Sequence, residues 1–277
     1  MKFSNLAAAV AVGLAPVGAD AAVAIYEGQG PDAESIQRVV DDFRDALGPN
    51  NGNAPVSGDP FGRRQINWDA APDGISDPNP FPGDFFNADV NPRARGIEFR
   101  ETGSTTGFQL SSTEASGEPP LFGNEQNFQA FSPERVFTPV GGTTFDVLFF
   151  DPVDQTTPAT TRGLGIVFVD VEVEGSTTVD FFDKDDNLLL SRDVLVAGNQ
   201  GLSFLGVVFD SFEIARVSVT SGNAIFDGTS FRGRDGVVMD DFIFGEPVPA
   251  DPVPVPAAAA LFPLGALIIA RRRRNKR

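Results

Sequence analysis

From Gly96 onward, turn residues cut the chain into short apolar segments, and that spacing most limits what it can fold into. Gly96–Arg100, Gly107–Ser111, Thr143–Phe150, Gly165–Val173, Thr177–Phe182, Leu188–Val194, Leu202–Phe209, Arg216–Thr220 and Val237–Phe244 are all rich in Val, Ile, Phe and Thr. β-branched and aromatic side chains pack well on a pleated surface, and the Gly, Asn and Asp between them supply turns. Regular short strands predict a mostly-β body of the sandwich or jelly-roll kind. Alternation along Ile166-Val-Phe168-Val-Asp170-Val-Glu172-Val predicts a strand with one aliphatic face and one that turns acidic.

Ahead of the strands, Pro31–Gly48 reads as an amphipathic helix over residues 32–47. Ile36, Val39, Val40, Phe43 and Leu47 fall on one face, Asp32 is the N-cap, and Gly48-Pro49 ends it. Such a helix is expected to dock on a sheet. Residues 48–92, rich in Gly, Pro, Asn and Asp, read as a long loop with one short strand around Arg64–Trp68.

Both ends carry addresses. Met1-Lys2, the apolar run Leu6–Val17 and the small-x-small pattern Ala22-Val23-Ala24 form a secretory leader, residues 1–24. Cleavage is expected after Ala24, with Ala19-Asp20-Ala21 as the alternative site. At the other end, a Pro-rich linker at 248–256 closes on Val253-Pro254-Val255-Pro256. Fourteen uncharged residues, Ala257–Ala270, follow it, and then Arg271, Arg272, Arg273, Arg274 and Asn-Lys-Arg277. The apolar stretch is marginal against the roughly 20 residues of a comfortable span, while the basic run would hold the C-terminus on the cytoplasmic side.

This order of proline motif, apolar helix and basic stop resembles the PEP-CTERM class of bacterial sorting signals, in the variant reading Val-Pro-x-Pro-Ala. The resemblance covers residues 253–277. It implies that an exosortase-type enzyme recognises the motif and removes the tail, after signal peptidase has removed the leader. It also implies a transient membrane anchor and delivery to the cell surface, outer envelope or medium. The body, expected as one domain at 25–247, is similar over most of residues 31–247 to a group of secreted bacterial proteins without an assigned activity. The similarity rests on Gly62–Asp69, Phe131–Val140 and Val238–Pro247.

Charge narrows the partners. The net charge is −17, and without the two ends 36 acidic residues face 14 basic ones, near −22. Nucleic acid is bound through Lys and Arg neutralising phosphates, so it is excluded as a partner. The chain has no Cys and no His. That rules out disulfides, Ser-His-Asp or Cys-His nucleophile pairs, and His-bearing zinc sites. The 26 Phe against one Trp and one Tyr are expected mostly in the core, because Phe has no polar handle.

Two acidic groups are candidate cation sites. Asp183, Asp185 and Asn187 match the first ligands of a calcium loop, but Leu188 replaces its Gly and Val194 its twelfth-position Glu, so a hairpin turn is the expected role. Asp240 and Asp241 lie inside the last predicted strand. Alternation sends one of them coreward, where it needs an Arg, backbone donors or a cation. Asn67 and Asp69 are expected nearby. A calcium ion at Asp240 and Asp241 is the metal candidate, and a salt bridge to Arg63, Arg64 or Arg234 is the alternative. No catalytic residue is assigned. The expected function is an exported structural or interaction protein. The alternative is a calcium-stabilised module that binds extracellular polysaccharide, and a carboxylate-based glycoside hydrolase ranks last.

Overall fold

The computed structural model describes residues 23–250. The leader up to residue 22, the sorting motif and the tail lie outside them. In chain order the elements are β1 (Val23–Gly30), α1 (Ala33–Leu47), β2 (Arg63–Ile66), β3 (Ile97–Glu101), β4 (Gly107–Leu110) and β5 (Phe137–Val140). There follow β6 (Thr144–Phe149), β7 (Ala159–Thr160), β8 (Gly163–Val169), β9 (Thr178–Phe182), β10 (Leu188–Asp193) and β11 (Leu202–Phe209). The last are β12 (Arg216–Thr220), β13 (Ile225–Phe226), β14 (Phe231–Arg232), β15 (Val238–Gly245) and β16 (Val248–Pro249).

The fold is mostly β, and a sandwich describes it. One sheet has the order β1-β11-β8-β15-β5-β4, with β2 also on β15, and the other runs β10-β9-β12-β6-β3. All pairings between these strands are antiparallel. The main core lies between the two sheets and is dominated by Phe, as the composition predicts. Trp68 sits at its centre, 1% exposed and stacked on Phe137 with centroids 4.6 Å apart.

A third layer covers the outer face of the larger sheet. Helix α1 begins where Asp32 accepts a hydrogen bond from Ser35 N at 2.9 Å and ends at Gly48, whose N–H returns to Arg44 O and Asp45 O. Ile36, Val40, Phe43 and Leu47 are its buried face. Phe43 rests on a floor made by Gly165 and Gly206, which pair across β8 and β11. A Cβ at either position would lie 2.6 Å from the Phe43 ring, so only glycine admits the helix this closely. Because α1, together with Phe122, Phe128, Phe131 and Phe226, shields the outer face, β8, β11 and β15 are buried along their whole length and lose the polar face of a two-layer sandwich.

That burial corrects the reading of 166–173. The strand stops at Val169, and Asp170 takes a left-handed conformation, φ 70°, which Asp tolerates better than Val or Ile. β1 and β5, with the two-residue β7, β13, β14 and β16, lie outside the strands that the sequence predicts. Val23 and Ala24, assigned to the leader, open β1 opposite Phe209 and Val208. Part of the expected linker is docked as well, since Val248 and Pro249 pair with Thr160 and Ala159.

The loop 48–92 is held by a buried ion pair. Arg64, 0% exposed, donates from Nε to Glu246 Oε2 and from Nη2 to Glu246 Oε1, both at 2.7 Å. Its remaining donors reach Ala94 O at 2.7 Å and Val56 O at 2.8 Å. Glu246 also accepts from Gly58 N and the Asn51 side chain.

Candidate functional site

Asp240 and Asp241 occupy a bulge in β15. Met239 pairs with Phe168 and Phe242 with Ile166, so two residues of β15 face the single Val167 of β8. A bulge interrupts strict alternation. Both carboxylates therefore reach the same hydroxyl. Ser132 Oγ lies 2.8 Å from Asp241 Oδ1 and 3.1 Å from Asp240 Oδ1. The expectation that alternation separates them is corrected.

Each carboxyl has protein partners. Asp240 Oδ2 accepts from Phe131 N at 2.6 Å and Ser132 N at 3.1 Å. Asp241 Oδ2 accepts from Arg44 Nη2 at 2.8 Å. The cation is thus Arg44 of α1, not Arg63, Arg64 or Arg234. Arg64 is committed to Glu246, and Arg63 donates to Gly48 O. Burial pushes the Asp240 carboxyl well above its usual range, and the adjacent Asp241 charge pushes it further. Burial raises Asp241 as well, against the opposing effects of Ser132 and Arg44. Of the two, Asp241 has the cation beside it, so Arg44 favours the charge there.

The expected neighbours are present. β2 pairs with β15, and the Trp68 indole donates to Asp240 O at 2.7 Å. Asp69 is pushed up to about 6, chiefly by burial and also by the charge of Asp241. The Asn67 side chain donates to Asp69 at 2.8 Å. Trp68 is thereby a core anchor with its polar tip satisfied. Among the described residues, no cluster of three or more acidic side chains is arranged to hold a metal ion.

The Asp183 segment forms the expected hairpin turn. Asp183 Oδ1 accepts from Asp185 N at 2.8 Å and Asn187 N at 2.9 Å, and its Oδ2 from Asn187 Nδ2 at 3.0 Å.

A second acidic site escaped the sequence reading. Asp170, 2% exposed, lines an open cavity of about 240 Å³ with Asn127, Glu172, Ser230 and Arg234. Burial pushes its carboxyl up to about 7, Gln200 N–H opposes this, and the charges of Glu172 and Asp235 add to it. Its Oδ1 accepts from Gln200 N at 2.8 Å. Asp235 beside it is satisfied by Glu172 N, Val173 N and Ser176 Oγ. The sequence signal at this site is the acidic alternation at 170–172, which reads equally as a strand face.

No family model matches the chain, and no curated protein does. Among solved structures it is similar to the enzymatically active domain of tailspike protein 4 of Bacteriophage CBA120. That likeness has 16% identity and a TM-score of 0.30, and it covers 69% of this chain and 22% of that one.

Proposed function

We propose that the chain is an exported, non-catalytic interaction module, delivered to the cell surface through its C-terminal sorting signal. The observation that carries this reading is the order of motif, apolar stretch and basic run at 253–277. Three residues separate it from Val248–Pro249, which is docked on the body. The carboxylates buried in the body support a scaffold role. Asp235, Asp240, Asp241 and Glu246 each accept hydrogen bonds from backbone, Ser, Asn or Arg donors.

Signal peptidase and an exosortase-type enzyme are the processing partners in this reading. Deleting residues 253–277 should release the protein, unprocessed, into the medium, and deleting the leader should trap it in the cytoplasm. A tail-deleted protein that stays on the membrane like wild type would overturn the sorting assignment. Since Val23 and Ala24 open β1, cleavage after Ala21 keeps that strand whole. The mature N-terminus is expected at Ala22, and N-terminal sequencing of the exported protein checks it.

The acidic pair separates this reading from a calcium-dependent polysaccharide-binding module. As a clasp, Asp241 ties β15 to α1 and Asp240 ties β15 to residues 131–132. Calcium should then raise the melting temperature no further than sodium chloride of equal ionic strength. Asp241→Asn should cost about 1–3 kcal/mol by removing the buried one of the two carboxylates on Arg44, whose Nη1 keeps Asp41 at 3.0 Å. Asp240→Asn should cost less, because an amide retains an acceptor for the two backbone donors. A calcium-specific rise that Asp241→Asn abolishes would instead establish a cation site. A glycan-binding screen with and without chelator would then test polysaccharide as its partner.

A further inference from the structure

A pocket of about 150 Å³ opens beside Trp68, on the side of the loop that carries residues 85–95. Its walls are mostly carbon, from Trp68, Ala71, Pro72, Phe85, Phe86 and Pro92. Two guanidinium groups complete it. Arg93 stands 4.2 Å from the centroid of the Phe85 ring and Arg95 4.4 Å from that of Phe86. No carboxylate lines it, although the chain carries 38 acidic residues against 21 basic ones.

Arg95 is 7% exposed. Its Nη1 donates to Gln65 O at 2.9 Å and its Nε to Pro92 O at 3.2 Å. Arg93 donates only from Nε, to Phe85 O at 3.0 Å. Among the described residues neither makes an ion pair, and Arg95 Nη2 and both terminal nitrogens of Arg93 make no hydrogen bond. A buried cation held only by carbonyls and the face of a Phe ring still lacks a counter-charge. Burial accordingly lowers Arg95 to about 10, and the neighbouring charge of Arg64 lowers it further.

We propose that this pocket binds a small aromatic carboxylate. Its ring would enter among the Trp68, Phe85, Phe86 and proline surfaces, and its carboxylate would meet Arg93 and Arg95. The size suits one ring, since an apolar cavity of about 150 Å³ accommodates benzene. Planar guanidinium forks match a carboxylate in geometry and charge. A uronate has the charge, but it would set hydroxyls against walls that offer them few partners.

Trp68 is the only tryptophan in the chain, so its emission reports on the pocket directly. Titration at constant ionic strength should show a saturable change with benzoate and binding about tenfold weaker with benzamide, the loss of one charge-assisted contact. Arg93→Gln should bring benzoate close to the benzamide level and leave benzamide unchanged. Arg95→Gln should weaken benzoate further. Should Arg95→Gln fail to fold, the half-exposed Arg93 variant still decides the matter. Equal binding of benzoate and benzamide, glucuronate as tight as benzoate, no saturable response, or an Arg93→Gln protein that binds benzoate like wild type would each overturn the proposal.

Discussion

Replacing Glu246 with Gln is expected to lower the unfolding free energy by about 3–5 kcal/mol, the cost of stranding a fully buried charge. Gln keeps the shape and most of the hydrogen-bonding capacity of Glu246. It cannot neutralise Arg64, which is 0% exposed and bonded through two nitrogens to that one carboxylate. Arg64 and Glu246 also gather the backbone of the long loop through Val56 O, Ala94 O and Gly58 N. The variant should therefore become sensitive to limited proteolysis near residues 52–60 before it unfolds globally. Urea denaturation reads the first effect and mapped cleavage reads the second. Adding Arg64→Met should recover part of the loss, because the double variant leaves no buried charge uncompensated, while Val56 O and Ala94 O lose their donor. A shift below about 1 kcal/mol for Glu246→Gln would show that water reaches Arg64 in the native protein.

Stability is expected to fall as pH rises from about 4 to about 7. Asp170 in the folded protein titrates near 7, whereas in the unfolded chain it has the ordinary value of 3.8. Between these values the folded state keeps a proton that the unfolded state has lost, so raising the pH favours unfolding. Asp69, pushed up to about 6, acts with the same sign over a window that closes earlier. Asp154 has the opposite sign. Its hydrogen bonds from Thr157 lower it to about 2, and its contribution is lost as pH falls from about 4 toward 2. Asp170→Asn removes the buried charge but retains an acceptor for Gln200 N. It should gain about 2–4 kcal/mol over wild type at pH 8 and almost nothing at pH 4. Denaturant melts of both proteins at the two pH values test this. A variant no more stable than wild type at pH 8 would place the Asp170 carboxyl in contact with bulk water.

The amino-acid sequence by itself determined the local elements. Leu202–Phe209 and Arg216–Thr220 form strands over the segments that composition and turn spacing mark out. Asp32 and Gly48 cap the helix from within its own sequence. The Asp183 turn closes through contacts at most four residues apart. These features depend on neighbours along the chain, where residue types and periodicity are visible.

Only the tertiary structure decided the rest, because the deciding partners are distant in sequence. Arg44 meets Asp241 across 197 positions, and Arg64 meets Glu246 across 182. The residue types around 240–241 raised the need for a partner but could not choose among the arginines. A bulge opposite Val167 put both carboxylates on one hydroxyl, an irregularity that periodicity does not encode. Helix α1 and the phenylalanines beside it on the larger sheet buried strands on both faces, which removed the alternation at β8, and Asp170 just past its end bends into a left-handed conformation beside Gln200. Choices of this kind follow from how layers pack and which buried charges find counterparts, and packing couples every segment at once.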